Sequence, residues 1–138
     1  MKRIFLDTNI LLDVSMKRQP HYPMSASIML LIDNGQFEGF TTSLSMAIHY
    51  YIHKKDYGHD LGIEVLKEFG QMLSILSVTD THIEKALYSD FKDFEDAIQH
   101  FCALENGMDC IITRNVKDYE KSEIPVYTPA EYLRMIDK

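Results

Sequence analysis

Four consecutive residues, Cys110-Ile111-Ile112-Thr113, restrict the fold more than any other part of the sequence. A strand with one face in water alternates apolar and polar residues. This one is apolar without a break, as strands are when helices cover both faces of a parallel sheet. Ile4 to Leu6 is a second short segment of the same kind. Phe37 to Thr42, Ser74 to Val78 and Ile124 to Tyr127 carry the β-branched and aromatic residues of further strands.

Helical patterns separate these strands. After interruptions at Pro20 and Pro23, Met24 to Asp33 has an apolar face of Ala26, Met29, Leu30 and Ile32, ending near Gly35. Ser43 to Lys55 sets Leu44, Ala47, Ile48, Tyr51 and Ile52 on one face, the expected core side. The segment 56–60 reads as a connection to another helix over Leu61 to Met72. Thr81 and Glu84 have capping-box spacing. Asp93 precedes a helix with Phe94, Ala97, Ile98, Phe101 and Leu104 in register, and Gly107 lies just beyond its end. Thr128-Pro129-Ala130-Glu131 supplies N-cap, N1 proline and N3 glutamate for a closing helix. Alternating strands and helices joined by short connections predict an α/β fold, a three-layer α/β/α sandwich with a mainly parallel central sheet. With 138 residues and no linker or repeat, one domain over residues 1–138 is expected.

No apolar run approaches the roughly 20 residues that span a bilayer, so no membrane association is expected. The basic-then-apolar start ends at Asp7, well short of a secretory signal, which points to the cytoplasm. Cys102 and Cys110 fall in a helical and a strand pattern and are expected as buried thiols. The six histidines form no cluster of metal-ligand spacing, and most are expected at or near the surface. A net charge of −7 counts against a broad nucleic-acid-binding face built from Lys and Arg.

In open parallel sheets, ligands bind beyond the C-terminal strand ends. Asp7-Thr8-Asn9 follows the first strand, Thr113 to Asp118 follows the Cys110 strand, and Asp93, Glu95 and Asp96 open the helix leading into that strand. Each also has a structural reading: Asp7 or Thr8 as a helix cap, Asp93 to Asp96 as charges suited to a helix N-terminus, Asp118 as a turn residue. Carboxylates gathered at one sheet edge repel unless a cation lies between them, and oxygen-only donors point to Mg²⁺ or Mn²⁺.

Several segments resemble the PIN-domain nucleases. Arg3 to Asp13 (RIFLDTNILLD) is similar to the family's first motif, and Asp93 to Tyr119 is similar to its third and fourth. Thr41 to Lys55 resembles the segment that holds the second, and Pro125 to Leu133 the last strand and helix. The resemblance implies a metal-dependent RNA endonuclease of the VapC type, the toxin of a toxin–antitoxin pair, forming a homodimer and silenced by a small antitoxin protein. Carried over by position, Asp7, Asp96 and Asp118 would hold the metal, and Asn115 would orient a water. Asn9, Thr113 and Arg114 would contact substrate. The sequence departs from the common pattern at Asn115, where Asp is frequent, and at Ile48, where Glu is usual. A variant subfamily is therefore implied, or a PIN-fold binding module with little catalysis. Arg114 is a candidate phosphate clamp or else the partner of a neighbouring acid. Tyr50 to Lys55 is a weaker candidate RNA contact and Lys17 and Arg18 weaker still. A phosphatase of the haloacid-dehalogenase type also places Asp after its first strand, but it requires a second Asp where this chain has Asn9.

Overall fold

The computed structural model describes residues 1–137. Five strands form one sheet in the order β3-β2-β1-β4-β5. They are β1 (Arg3–Leu6), β2 (Glu38–Thr42), β3 (Ser74–Leu76), β4 (Cys110–Ile112) and β5 (Val126–Tyr127). Every neighbouring pair is parallel, with Phe5 opposite Phe40 on one side and Ile111 on the other. The unbroken apolar runs of β1 and β4 are explained by their central position. Ile4, Leu6, Cys110 and Ile112 face one apolar cluster, while Phe5 and Ile111 face another.

Helices close both faces. The first cluster takes Ile10 and Leu11 from α1 (Thr8–Ser15), Ile28, Met29 and Ile32 from α2 (Tyr22–Asp33), and Tyr132 from α6 (Pro129–Ile136). On the opposite face Ala103 of α5 (Phe94–Glu105) packs with Met108 and Tyr119, and α4 (Asp80–Leu87) rests on α5 through Ala86, Ala97 and Ile98. The three-layer sandwich is present, with a sheet that is parallel throughout. Cys102 and Cys110 are buried free thiols. No described helix is long and apolar enough to cross a membrane.

The helical run α3 (Ser43–Met72) differs from expectation in an informative way. At Gly58 the backbone takes φ 83° and ψ 174°, a region essentially restricted to glycine, and the run doubles back. The return brings Phe69 edge-on to His49, with ring centroids 5.3 Å apart. Segment 56–60 is therefore a turn between two helical arms. The buried face of the first arm is Ser45, His49 and His53, whereas Tyr51 is 70% exposed. Leu44, Ala47, Ile48, Tyr51 and Ile52 do not form the core face that their spacing suggested. The α4 cap also moves: Thr79 closes the capping box with His82, in place of Thr81 with Glu84.

Four of the histidines, His49, His53, His82 and His100, are buried rather than superficial. His49 Nε2 lies 2.8 Å from Ser15 Oγ and its ring stacks on His53. Burial, then the neighbouring His53 and Arg18, lower its pKa from 6.5 to about 4. The folded state thus binds fewer protons here than the unfolded chain, so its stability declines as pH falls from about 6.5 to 4. Thermal melts of a His49→Gln variant should fall less steeply over that window than those of the parent. Parallel slopes would mean that another group governs acid unfolding.

Candidate metal centre

The order of strands reverses at β1, and β1 and β4 end side by side at this switch point, where α/β sheets place their ligands. Asp7 leaves β1 there as the N-cap of α1. Both its carboxylate oxygens are engaged: the Thr8 N–H donates to Oδ1 and Thr113 Oγ1 donates to Oδ2, each at 2.8 Å. Thr113 in turn accepts from the Asn115 N–H at 3.1 Å, tying the β4 exit to the β1 exit.

Asp96 approaches from the first turn of α5, whose N-cap is Asp93. The Tyr119 hydroxyl, 1% exposed, donates to Asp96 Oδ1 at 3.3 Å. Asp118 stands in the single 3₁₀ turn Val116–Tyr119. Asp7, Asp96 and Asp118 line one cavity of about 150 Å³, together with Asn9, Asn115, Asp93 and Glu95. Leu12, Ile48 and Ile52 give the cavity an apolar wall. Ile48 occupies the place at which an acid was expected by resemblance, so that wall contributes no charge.

A helix N-terminus normally favours a carboxylate, yet Asp96 is pushed up from 3.8 to about 8 by burial and by the charges of Asp7, Asp93 and Asp118. Burial also raises Asp7, against the opposing hydrogen bonds from Thr113 and Thr8. Burial, Asp7 and Asp96 together raise Tyr119 well above its usual 10, so its phenol stays a donor. These carboxylates lack a positive partner among the residues lining the cavity. The donor set is all oxygen, with no His or Cys in the wall, which fits a hard ion such as Mg²⁺ or Mn²⁺ and not zinc. Among the described residues no group of three or more His, Cys, Asp or Glu side chains stands close enough together to hold a metal ion by itself. An ion here would complete its shell with water and substrate oxygens, as Mg²⁺ commonly does.

Two expected substrate contacts are placed elsewhere. Thr113 is fully buried and serves Asp7. Arg114 is absent from the cavity wall; its Nε lies 2.8 Å from Oδ2 of the fully buried Asp13. Of the two readings of Arg114, the ion pair is the one present. Tyr50 bonds His59 across the Gly58 turn, while Lys54 stands over its ring, so neither faces the cavity.

Sequence reasoning missed a buried polar network beneath the carboxylates. Thr42 Oγ1 donates to Gln99 Oε1 at 2.6 Å, and Gln99 Nε2 donates to Ser45 Oγ. Ser45 Oγ lies 2.7 Å from Thr8 Oγ1, next to Asp7. Gln99 is one turn beyond Asp96, so the network fixes α5 against the start of α1 and of α3. The sequence held no signal for it, since Gln99 falls nearly opposite the Phe94, Ala97, Ile98, Phe101 and Leu104 face of α5.

Comparison with known proteins agrees with this fold. A curated relative, Ribonuclease VapC1 of Aquifex aeolicus (strain VF5), is 26% identical over 137 residues, covering 95% of this chain and 93% of that protein. A toxin–antitoxin complex from Klebsiella pneumoniae contains a chain of similar fold, with TM-score 0.67 and 22% identity over 91% of this chain and 97% of that one. Mycobacterium tuberculosis VapC20, described as a Sarcin-Ricin loop cleaving toxin, has TM-score 0.63 and 14% identity over 78% of this chain and 86% of its own. The model of the PIN domain family matches residues 3–117, from the start of β1 through β4, and ends one residue before Asp118. The chain belongs to the PIN-domain family.

Proposed function

We propose that this protein is an endoribonuclease dependent on Mg²⁺ or Mn²⁺, the toxin of a toxin–antitoxin pair, acting in the cytoplasm as a homodimer held inactive by a small antitoxin protein. One observation carries the chemistry. Three carboxylates from separate elements share a cavity at the switch point, where burial and then the charges of Asp7, Asp93 and Asp118 push Asp96 up to about 8. The ribonuclease name of the Aquifex relative and the toxin–antitoxin setting of the Klebsiella structure support the biological role.

In this reading Asp7, Asp96 and Asp118 hold the ion. When bound, it supplies charge neutralisation at a phosphodiester and a more acidic water. The chain's own residues fix the geometry. Thr8 and Thr113 lock the Asp7 carboxylate, and Tyr119 orients Asp96. Asn115, exposed at the rim, orients a water through its amide, and the half-buried Asn9 contacts substrate. The Leu12, Ile48 and Ile52 wall excludes bulk water from one side of the carboxylates. That same wall favours a second reading, a weak nuclease that acts mainly by binding, because Ile48 withholds a fourth acid.

The test uses protein stripped with EDTA and a single-stranded RNA. Cleavage should appear on addition of Mg²⁺ or Mn²⁺ and vanish again with chelator, while calorimetry records Mn²⁺ binding. Cleavage that persists in EDTA overturns the metal-dependent reading. Mn²⁺ binding without cleavage selects the weak-nuclease reading.

A further inference from the structure

Beyond the carboxylate cavity the surface continues as two more depressions. Asn115 and Asp118 form a wall shared with a shallow basin over Val116, Lys117 and Glu131. Arg114 and Thr128 separate that basin from a third pocket, between α2 and the start of α6. The three thus adjoin along the C-terminal edge of the sheet. The third pocket has a volume of about 210 Å³, below the roughly 300 Å³ at which sites for drug-sized ligands begin. It suits a single planar ring system.

Its walls have the chemistry of a base site. Pro20, Met24 and Pro129 offer apolar surface. Ser25 lies on the wall fully buried, and its hydroxyl has no hydrogen-bond partner among the described residues. A buried hydroxyl left without a partner carries a desolvation cost that a ligand's polar edge would remove. Arg114 Nε lies 2.8 Å from Oδ2 of Asp13, so the ion pair keeps the guanidinium beside the pocket, and it is 24% exposed. Because Asp13 neutralises it, the pocket carries little net charge from this pair and favours a base over a bare phosphate. Arginine planes stack on unpaired bases, and their terminal N–H groups donate to base carbonyls.

We infer that this pocket between α2 and α6 is a nucleobase subsite, which takes an unpaired base of the RNA one or more nucleotides from the scissile phosphate. The inference rests on the ribonuclease reading and deepens it: the substrate is single-stranded at this position, and its polyanionic backbone crosses the basin beside Lys117. An antitoxin peptide side chain is the competing occupant.

The test fills the pocket without touching its buried wall. Ala130 is exposed in the first turn of α6, so Ala130→Trp reaches the pocket from a site that tolerates the change. Binding of a fluorescent single-stranded RNA is measured by anisotropy in EDTA, where no cleavage occurs. Ala130→Trp should weaken it about 10-fold, the size of one lost base-stacking contact. Oligonucleotides carrying 5-iodouracil should photocrosslink to Met24 or His21 in the parent and lose that crosslink in the variant. Unchanged affinity together with no crosslink to these residues overturns the subsite, even if Asp7→Asn still abolishes cleavage. Should the variant instead bind RNA normally and fail only to bind purified antitoxin, the pocket belongs to the peptide and the inference is likewise overturned. The reverse failure, an active Asp7→Asn enzyme with a crosslink at Met24, removes the catalytic assignment and leaves the RNA site.

Discussion

Asp7→Asn is expected to abolish metal-dependent RNA cleavage while leaving the melting temperature equal to or above that of the parent. The two effects separate because Asp7 is 3% exposed and burial works against its charge. An amide keeps the shape, accepts from the Thr8 N–H as before and leaves Thr113 a partner, but it removes the negative charge that would hold an ion. Asp96→Asn should behave in the same way, since its carboxyl is raised to about 8 by burial and then by its acidic neighbours. Calorimetric Mn²⁺ affinity should fall for both by more than the 10- to 100-fold typical of losing a residue that only supports a ligand. Thr113→Val, which removes such a support, should fall within that range. A stable Asp7→Asn protein with undiminished cleavage would refute the assignment of this cavity.

Arg114→Met should produce the largest loss of stability of any single change near the site, about 3–5 kcal/mol by urea unfolding. The reason is the residue it leaves behind. Asp13 is fully buried, and Arg114 is its one ion-pair partner among the described residues. Neither of its carboxylate oxygens has a geometrically sound hydrogen bond among them, so the Arg114 contact is an ion pair by proximity. Burial already raises the Asp13 pKa, and Arg114 is the foremost of the charges holding it down. Removing Arg114 strands a charge in the core, against a total stability of roughly 5–15 kcal/mol for a domain. Adding Asp13→Asn should restore most of the loss, because the pair matters chiefly through the cost of breaking it. A double variant no more stable than Arg114→Met would show that Arg114 acts through packing.

The sheet was readable because its strands carry their own signal. The apolar triplets of β1 and β4 admit only a doubly covered position, and the acids that follow them had to fall at the sheet's C-terminal edge. The burial of α3 was not readable. Its apolar spacing suggested a core face through Tyr51, but Ser45 and His49 are turned inward by partners 30 or more residues away, Thr8 and Ser15, and by the return of the chain at Gly58. Ile48 and Ile52 instead border the carboxylate cavity. Tyr119 was hidden for a similar reason: its tyrosine reaches Asp96 through the fold, across 23 positions of sequence. Asp13 closed the first recognisable motif as one more acid, and nothing local marked it as the buried anchor of Arg114.

The placement of β1 in the middle of the sheet bears on when danger begins during synthesis. The first strand to leave the ribosome must wait for β2 on one flank and β4 on the other. Asp7 meets Thr113 only after 106 further positions have been added. An unfinished polypeptide that stops before residue 113 therefore lacks the contact that sets the leading carboxylate, and no nascent fragment shorter than that carries an assembled centre. For a chain proposed to cleave RNA, this ordering confines the hazard to molecules whose translation is nearly complete.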